Sequence, residues 1–145
     1  MSKPLLPFEV TLRVRDACLC LHAQRAARAL ARRYDAALRP LGLTSGQFSL
    51  LMALNRPEPP AMGEVASLLA MDRTTLTANL KPLERRGLLG VAPDGADRRS
   101  RRLELTEPGR ALLARALPAW ERTQAEEERL LADPGHLRAG LRALS

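Results

Sequence analysis

Aromatic residues are scarce in this chain: two phenylalanines, one tyrosine and one tryptophan among 145 residues. That scarcity excludes the stacked aromatic platforms on which proteins hold single-stranded nucleic acid or unpaired RNA bases. There are only two cysteines, Cys18 and Cys20, and a spacing of two does not make a disulfide framework. On a continuous helix that step turns the two thiols to nearly opposite faces, poorly placed to pair or to share a metal. His22 and His136 are the only histidines and lie far apart, so no metal site is expected. No apolar run approaches the roughly 20 residues that cross a bilayer. The start, Met1-Ser2-Lys3-Pro4-Leu5-Leu6-Pro7, lacks the apolar core of a signal peptide. The expectation is a cytoplasmic chain with no membrane partner. Glycine-rich phosphate loops, nucleophile elbows and paired carboxylates are also missing, so an enzyme and a bound cofactor lack support.

What the chain does have is hydrophobic mass and positive charge. Hydrophobic residues make up 46%, enough for a folded core. The net charge is +7, which points to a polyanionic partner without choosing between nucleic acid and an anionic membrane face. The charge is unevenly placed. Residues 13–39 carry seven Arg against two Asp, and residues 72–102 carry eight Lys/Arg against four Asp/Glu. Residues 103–145 are close to neutral, and their run Glu126-Glu127-Glu128 reads as a solvated helix face.

From about Thr11 to Leu41 the pattern is that of one long helix. Cys20, Ala23, Ala27, Leu30, Tyr34, Leu38 and Leu41 recur at steps of three and four, while Arg25, Arg28, Arg32, Arg33 and Asp35 lie mostly off that face. Pro40 and Gly42 end it. Thr44 caps a second helix with Phe48, Leu50, Leu51, Met52 and Leu54 as apolar positions. Pro57, Pro59 and Pro60 mark a turn.

Residues 61–106 then carry the most informative pattern. A short helix over Met62–Leu69 is followed by a tight connection, Ala70-Met71-Asp72, and a second helix over Arg73–Arg86 that Gly87 ends. Asp72 is a good N-cap. Leu76, Leu80 and Leu83 face inward, which leaves Arg73, Thr74, Thr75, Thr77, Ala78 and Lys81 outward. Pro82 bends the last turns without ending the helix, since Leu83 keeps the register. Leu88–Val91 and Arg102–Thr106 flank a charged turn at residues 94–99 and read as a two-stranded wing. Such a helix fits a DNA major groove, and arginines are drawn to a narrow minor groove. Beyond the wing, Pro108 suits a helix's first turn, Leu112, Leu113, Leu117 and Trp120 form an apolar face, and Pro118 introduces a kink. A last short helix carries Leu137, Leu141 and Leu144. The fold class is mainly α with a small β wing, about six helices in one domain over 1–145. Residues 44–106 form a winged helix-turn-helix, and helices within 8–41 and 107–145 join two copies into a dimer.

Four local motifs in this order resemble the MarR family of winged helix-turn-helix regulators. They are Leu41-Gly42-Leu43-Thr44 with Gln47-Phe48, Met71–Thr77, Leu83-Glu84-Arg85-Arg86-Gly87-Leu88-Leu89, and Asp97-Arg98-Arg99 followed by Leu103-Glu104-Leu105-Thr106 and Gly109. The resemblance implies a homodimer on a pseudo-palindromic double-stranded DNA operator, usually a repressor, released by a small aromatic ligand or an oxidant. It implies that Arg73, Thr74, Thr75, Thr77 and Lys81 face the major groove. In the wing, Arg99 enters the minor groove, Asp97 holds the tip, and Arg98, Arg101 and Arg102 offer further contacts. Cys20, 22 positions before Gly42, resembles the reactive cysteine of the hydroperoxide-sensing OhrR branch, and Tyr34 resembles a tyrosine which that branch pairs with it. Ser45 stands where the branch has a second tyrosine. Burial as a small apolar residue is the commoner fate of a free cysteine. The positions of Cys20, Tyr34, Phe48 and Trp120 make them candidates to line a ligand pocket. Two alternatives stay open: a thiol-based oxidant-sensing repressor using Cys20, and a non-specific basic DNA-binding protein.

Overall fold

The structure, a computed structural model, describes residues 2, 5–93, 95 and 101–145. Among these there are seven α-helices, one 3₁₀ turn and a two-stranded antiparallel sheet. The single helix expected over 11–41 is two. Helix α1 spans Phe8–Ala17, Cys18 adopts an extended backbone (φ −67°, ψ 110°), and α2 spans Leu19–Leu38. Neither proline nor glycine marks the break. Instead the Cys18 sulfur accepts the Leu21 N–H at 3.4 Å, capping α2, and the Cys18 carbonyl accepts from the His22 ring nitrogen Nδ1 at 2.7 Å. Cys18 and Cys20 therefore do not share a helix, and the opposite-face argument for them no longer applies.

A 3₁₀ turn, Arg39–Leu41, closes α2. Gly42 follows at φ 71°, a left-handed conformation that costs an L side chain about 1–2 kcal/mol. Helix α3, Ser45–Ala53, starts at a full capping box in which the Thr44 hydroxyl accepts from Gln47 N and the Gln47 side chain accepts from Thr44 N, both at 3.1 Å. Helix α4 is Met62–Leu68 and α5 is Arg73–Arg85. Between them Ala70 sits at φ 51°, and Met71 N reaches back to the Ala66 carbonyl at 2.9 Å, the six-to-one bond of a Schellman ending. Strands β1, Leu89–Pro93, and β2, Arg101–Leu105, pair from Leu89↔Leu105 to Pro93↔Arg101. The proline loop is more than a turn: the Pro60 carbonyl accepts Leu103 N at 3.0 Å, which stitches the loop to the wing. Helix α6, Glu107–Glu128, runs through Pro118, and α7 is Pro134–Ala143.

One leucine-rich core holds these elements. Leu38, Leu51, Leu76, Leu83 and Leu103 are fully buried, joined by Leu50, Leu80, Leu105, Leu112, Leu113, Phe48 and Val65. Burying each such side chain is worth about 1.5–3 kcal/mol. Helices α1 and α7 contribute no buried residue. Phe8 and Val14 on α1, and Leu137 and Leu141 on α7, remain exposed.

Candidate nucleic-acid interface

Helix α5 starts at Asp72, whose carboxylate accepts the Thr75 backbone N–H at 2.7 Å and the Thr75 hydroxyl at 2.9 Å. The backbone bond from Thr75, then its hydroxyl, hold the Asp72 carboxyl below the usual range. Leu76, Leu80 and Leu83 lock one face of the helix into the core. At about 100° per residue the opposite face is Thr74, Ala78, Lys81 and Arg85, all exposed. Among the described residues, Thr74, Lys81 and Arg85 make no side-chain hydrogen bond or ion pair. Arg85 is the member of this strip that sequence reasoning missed; it stands four residues after Lys81, in the helix's last turn.

The other threonines and Arg73 flank this strip. The Thr77 hydroxyl donates to the Arg73 carbonyl at 2.8 Å, and the Thr75 hydroxyl donates to Asp72, so both donors are spent within the protein. Arg73 is exposed, with one guanidinium nitrogen 3.1 Å from the point a Gly63 Cβ would occupy. In the wing, Arg101 is exposed on β2. Arg102 is half-buried and donates to the Pro59 carbonyl at 3.0 Å, a bond that anchors the wing to the proline loop. Asp97, Arg98 and Arg99 lie outside the described residues.

The candidate pocket residues separate. Phe48 and Trp120 stack with ring centroids 6.3 Å apart. On one side is a cavity of about 300 Å³ lined by Tyr34, Leu30, Leu38, Ser45, Ser49 and the two rings. On the other is an apolar one of about 510 Å³ lined by Met52, Leu68, Leu69 and Leu117 with the same rings. Cys20 joins neither. It is exposed and lies 14 residues from Tyr34 on α2, about 21 Å at 1.5 Å per residue. Within one chain the two cannot bond. The Tyr34 hydroxyl donates instead to Gln124 Oε1. Burial first, then the negative charges of Glu127 and Glu128, push the Tyr34 phenol above its ordinary value.

Comparison with known proteins places this arrangement. Residues 41–100 match the family model described as MarR family. The fold matches that of the M. tuberculosis transcriptional regulator MosR in complex with DNA, with a TM-score of 0.81 and 43% identity over 88% of this chain and 92% of that one. The chain belongs to the MarR family. This MarR-family chain is also similar to the transcriptional repressor CouR bound to p-coumaroyl-CoA, at a TM-score of 0.74 and 28% identity over 90% of this chain and 91% of that one. It is 30% identical over 99 residues to the organic hydroperoxide resistance transcriptional regulator of Bacillus subtilis (strain 168), covering 68% of this chain and 67% of that protein. Three other curated relatives align over only about half of their own length, between 41% and 50%. Its relatives are transcription regulators rather than enzymes. Among the described residues no helix is long and apolar enough to cross a membrane.

Proposed function

We propose that this MarR-family chain is a homodimeric repressor that reads a pseudo-palindromic DNA operator and is released by a small ligand. The observation that carries the reading is the outward strip Thr74–Ala78–Lys81–Arg85, presented on a leucine-locked helix beside a wing, in a chain 43% identical to a regulator solved with DNA. In the major groove Thr74 offers a free hydroxyl and a methyl to base edges, and Arg73 can pair bidentately with guanine. Thr75 and Thr77, their hydroxyl protons engaged, offer methyls and acceptor oxygens. Lys81 and Arg85 neutralise phosphates. In the wing, Arg99 enters the minor groove, steadied by Asp97, with Arg98 and Arg101 on the backbone. The apolar faces of α1 and α7 find their partner in a second copy, which makes 8–41 and 107–145 the dimerisation segments and 44–106 the reading head. Acting on chromosomal DNA places the protein in the cytoplasm.

The cavities beside Phe48 and Trp120 suit a flat, aromatic effector, because no charged side chain lines either. A coupling of about 1–3 kcal/mol between ligand and DNA would suffice for release. A second reading has its own support in the exposed Cys20 and the similarity to the B. subtilis regulator. There an organic hydroperoxide oxidises the Cys20 thiol to the sulfenic acid and is itself reduced to the alcohol. Hydroperoxide that abolishes binding by wild type but not by Cys20→Ser favours the second reading. The main reading is tested by fluorescence anisotropy at fixed salt: Lys81→Ala and Arg99→Ala lose operator affinity while staying folded, and unchanged affinity in both refutes it.

A further inference from the structure

We propose that Arg86 and Thr106 are positioning residues for α5: they fasten its C-terminal end to α2 and α6 and so set the angle at which the Thr74–Arg85 strip meets the groove. The inference rests on the operator-binding reading above.

Arg86 follows α5 directly. Its Nη1 donates to the Gly42 carbonyl at 2.8 Å. Its Nη2 lies 3.2 Å from where a Gly42 Cβ would stand, so the guanidinium rests on the bare Gly42 turn. That turn is fixed to the end of α2, since Gly42 N reaches the Arg39 carbonyl at 2.9 Å and Leu43 N the Leu38 carbonyl at 3.3 Å. The bond therefore ties the end of α5 to the end of α2 across 44 residues of sequence.

The next two residues are held by Thr106. The Gly87 carbonyl accepts the Thr106 hydroxyl at 2.6 Å. The same Thr106 oxygen accepts Gly109 N at 3.2 Å and caps α6. Thr106 N donates to the Leu88 carbonyl at 3.1 Å. A Cβ on Gly109 would stand 2.0 Å from that carbonyl oxygen, so only glycine lets α6 approach this closely. One hydroxyl thus joins the end of α5 to the start of α6.

Along its length α5 is held mainly by leucines, whose burial is non-directional, with weak contacts from Thr77 and Asn79 to the sulfurs of Met62 and Met71. Hydrogen bonds have preferred lengths and angles, so these end contacts fix the helix's direction where leucine packing would tolerate a small rotation. Helices α2 and α6 also both line the cavity beside Phe48 and Trp120. A ligand that parts them pulls on both fastenings.

The test uses the full-length protein, an operator selected from random duplexes, a scrambled duplex, and anisotropy titrations over a salt series. Arg86→Met, Gly42→Ala and Thr106→Val each weaken operator binding about tenfold or more. Binding to the scrambled duplex stays within about twofold, and the salt slope on the operator stays that of wild type. Thr106→Ser, which keeps both of the hydroxyl's bonds, retains wild-type affinity. Thr106→Val also removes the α6 cap; if it fails to fold, Arg86→Met and Gly42→Ala, which leave that cap intact, decide the matter. Equal weakening of both duplexes by Arg86→Met, with a salt slope lower by about one, would make Arg86 a phosphate contact and overturn the proposal. Operator affinity unchanged in Arg86→Met and Gly42→Ala would overturn it too. If wild type itself shows no preference for the operator, the function reading falls and this proposal with it; a selective wild type with equally selective variants sinks the proposal alone.

Discussion

Phe48 of α3 and Trp120 of α6 stack at an interplanar angle of 18°, and both rings line two cavities at the junction of α3 and α6. Trp120 is the chain's sole tryptophan, so its fluorescence reports on this junction alone. A ligand that releases the operator is expected to change Trp120 emission saturably, with the same midpoint as the release. Release with no change in emission places the effector elsewhere.

Leu76 and Lys81 lie on opposite faces of α5 and should fail in opposite ways. Leu76→Ala removes a fully buried side chain and should cost about 2–5 kcal/mol in urea unfolding. Lys81→Ala alters an exposed position and should shift stability by no more than about 0.5 kcal/mol, yet it should weaken duplex binding. A Lys81→Ala protein as unstable as Leu76→Ala would contradict this division.

Asp35 and Asp72 are expected to add to the fold's acid sensitivity. Asp35 accepts Ser45 N at 2.6 Å, and that bond holds its carboxyl below the ordinary range, as the Thr75 bond does for Asp72. Lowered carboxyl values mean support that is complete above about pH 4 and fades as pH falls through the folded-state values. Asparagine keeps one carbonyl oxygen for the backbone N–H at each position without titrating, although its amide nitrogen cannot accept the Thr75 hydroxyl as the second oxygen of Asp72 does. In the double variant Asp35→Asn/Asp72→Asn, the urea midpoint should fall less steeply below about pH 4 than in wild type. An identical acid limb would show that these two groups do not carry the effect.

Tyr34, the only tyrosine, offers a direct optical check on the α2–α6 contact. Its phenol should ionise above about pH 10 in the folded protein, and Glu127→Gln, which removes one of the raising charges, should bring the midpoint down. Ultraviolet absorbance follows the phenolate, and circular dichroism confirms that the chain is still folded. A midpoint below 10, or one unmoved by Glu127→Gln, would contradict the geometry around Tyr34.

Features encoded locally could be read from the sequence. The cap at Thr44, the cap at Asp72, the inward leucines 76, 80 and 83, and the paired strands after Gly87 each follow from residues a few positions apart. Pro82 and Pro118 were both compatible with continued helices, and both helices continue. The break at Cys18 left no trace because a sulfur cap replaces the usual proline or glycine. The fastenings at Arg86 and Thr106 were hidden because each links residues 44 or 19 positions apart, a distance no periodicity spans. Tyr34, Phe48 and Trp120 line one cavity, while Cys20 lies about four turns away along α2.

The most direct test is selection of bound sequences from random duplexes by the purified protein, with the mass of the resulting complex measured. The expected result is a two-fold symmetric consensus whose half-sites lie one or two helical turns apart, near 34 Å per turn, held by two chains. A single chain on the duplex, or a pool without consensus and with a steep dependence on salt, would contradict it.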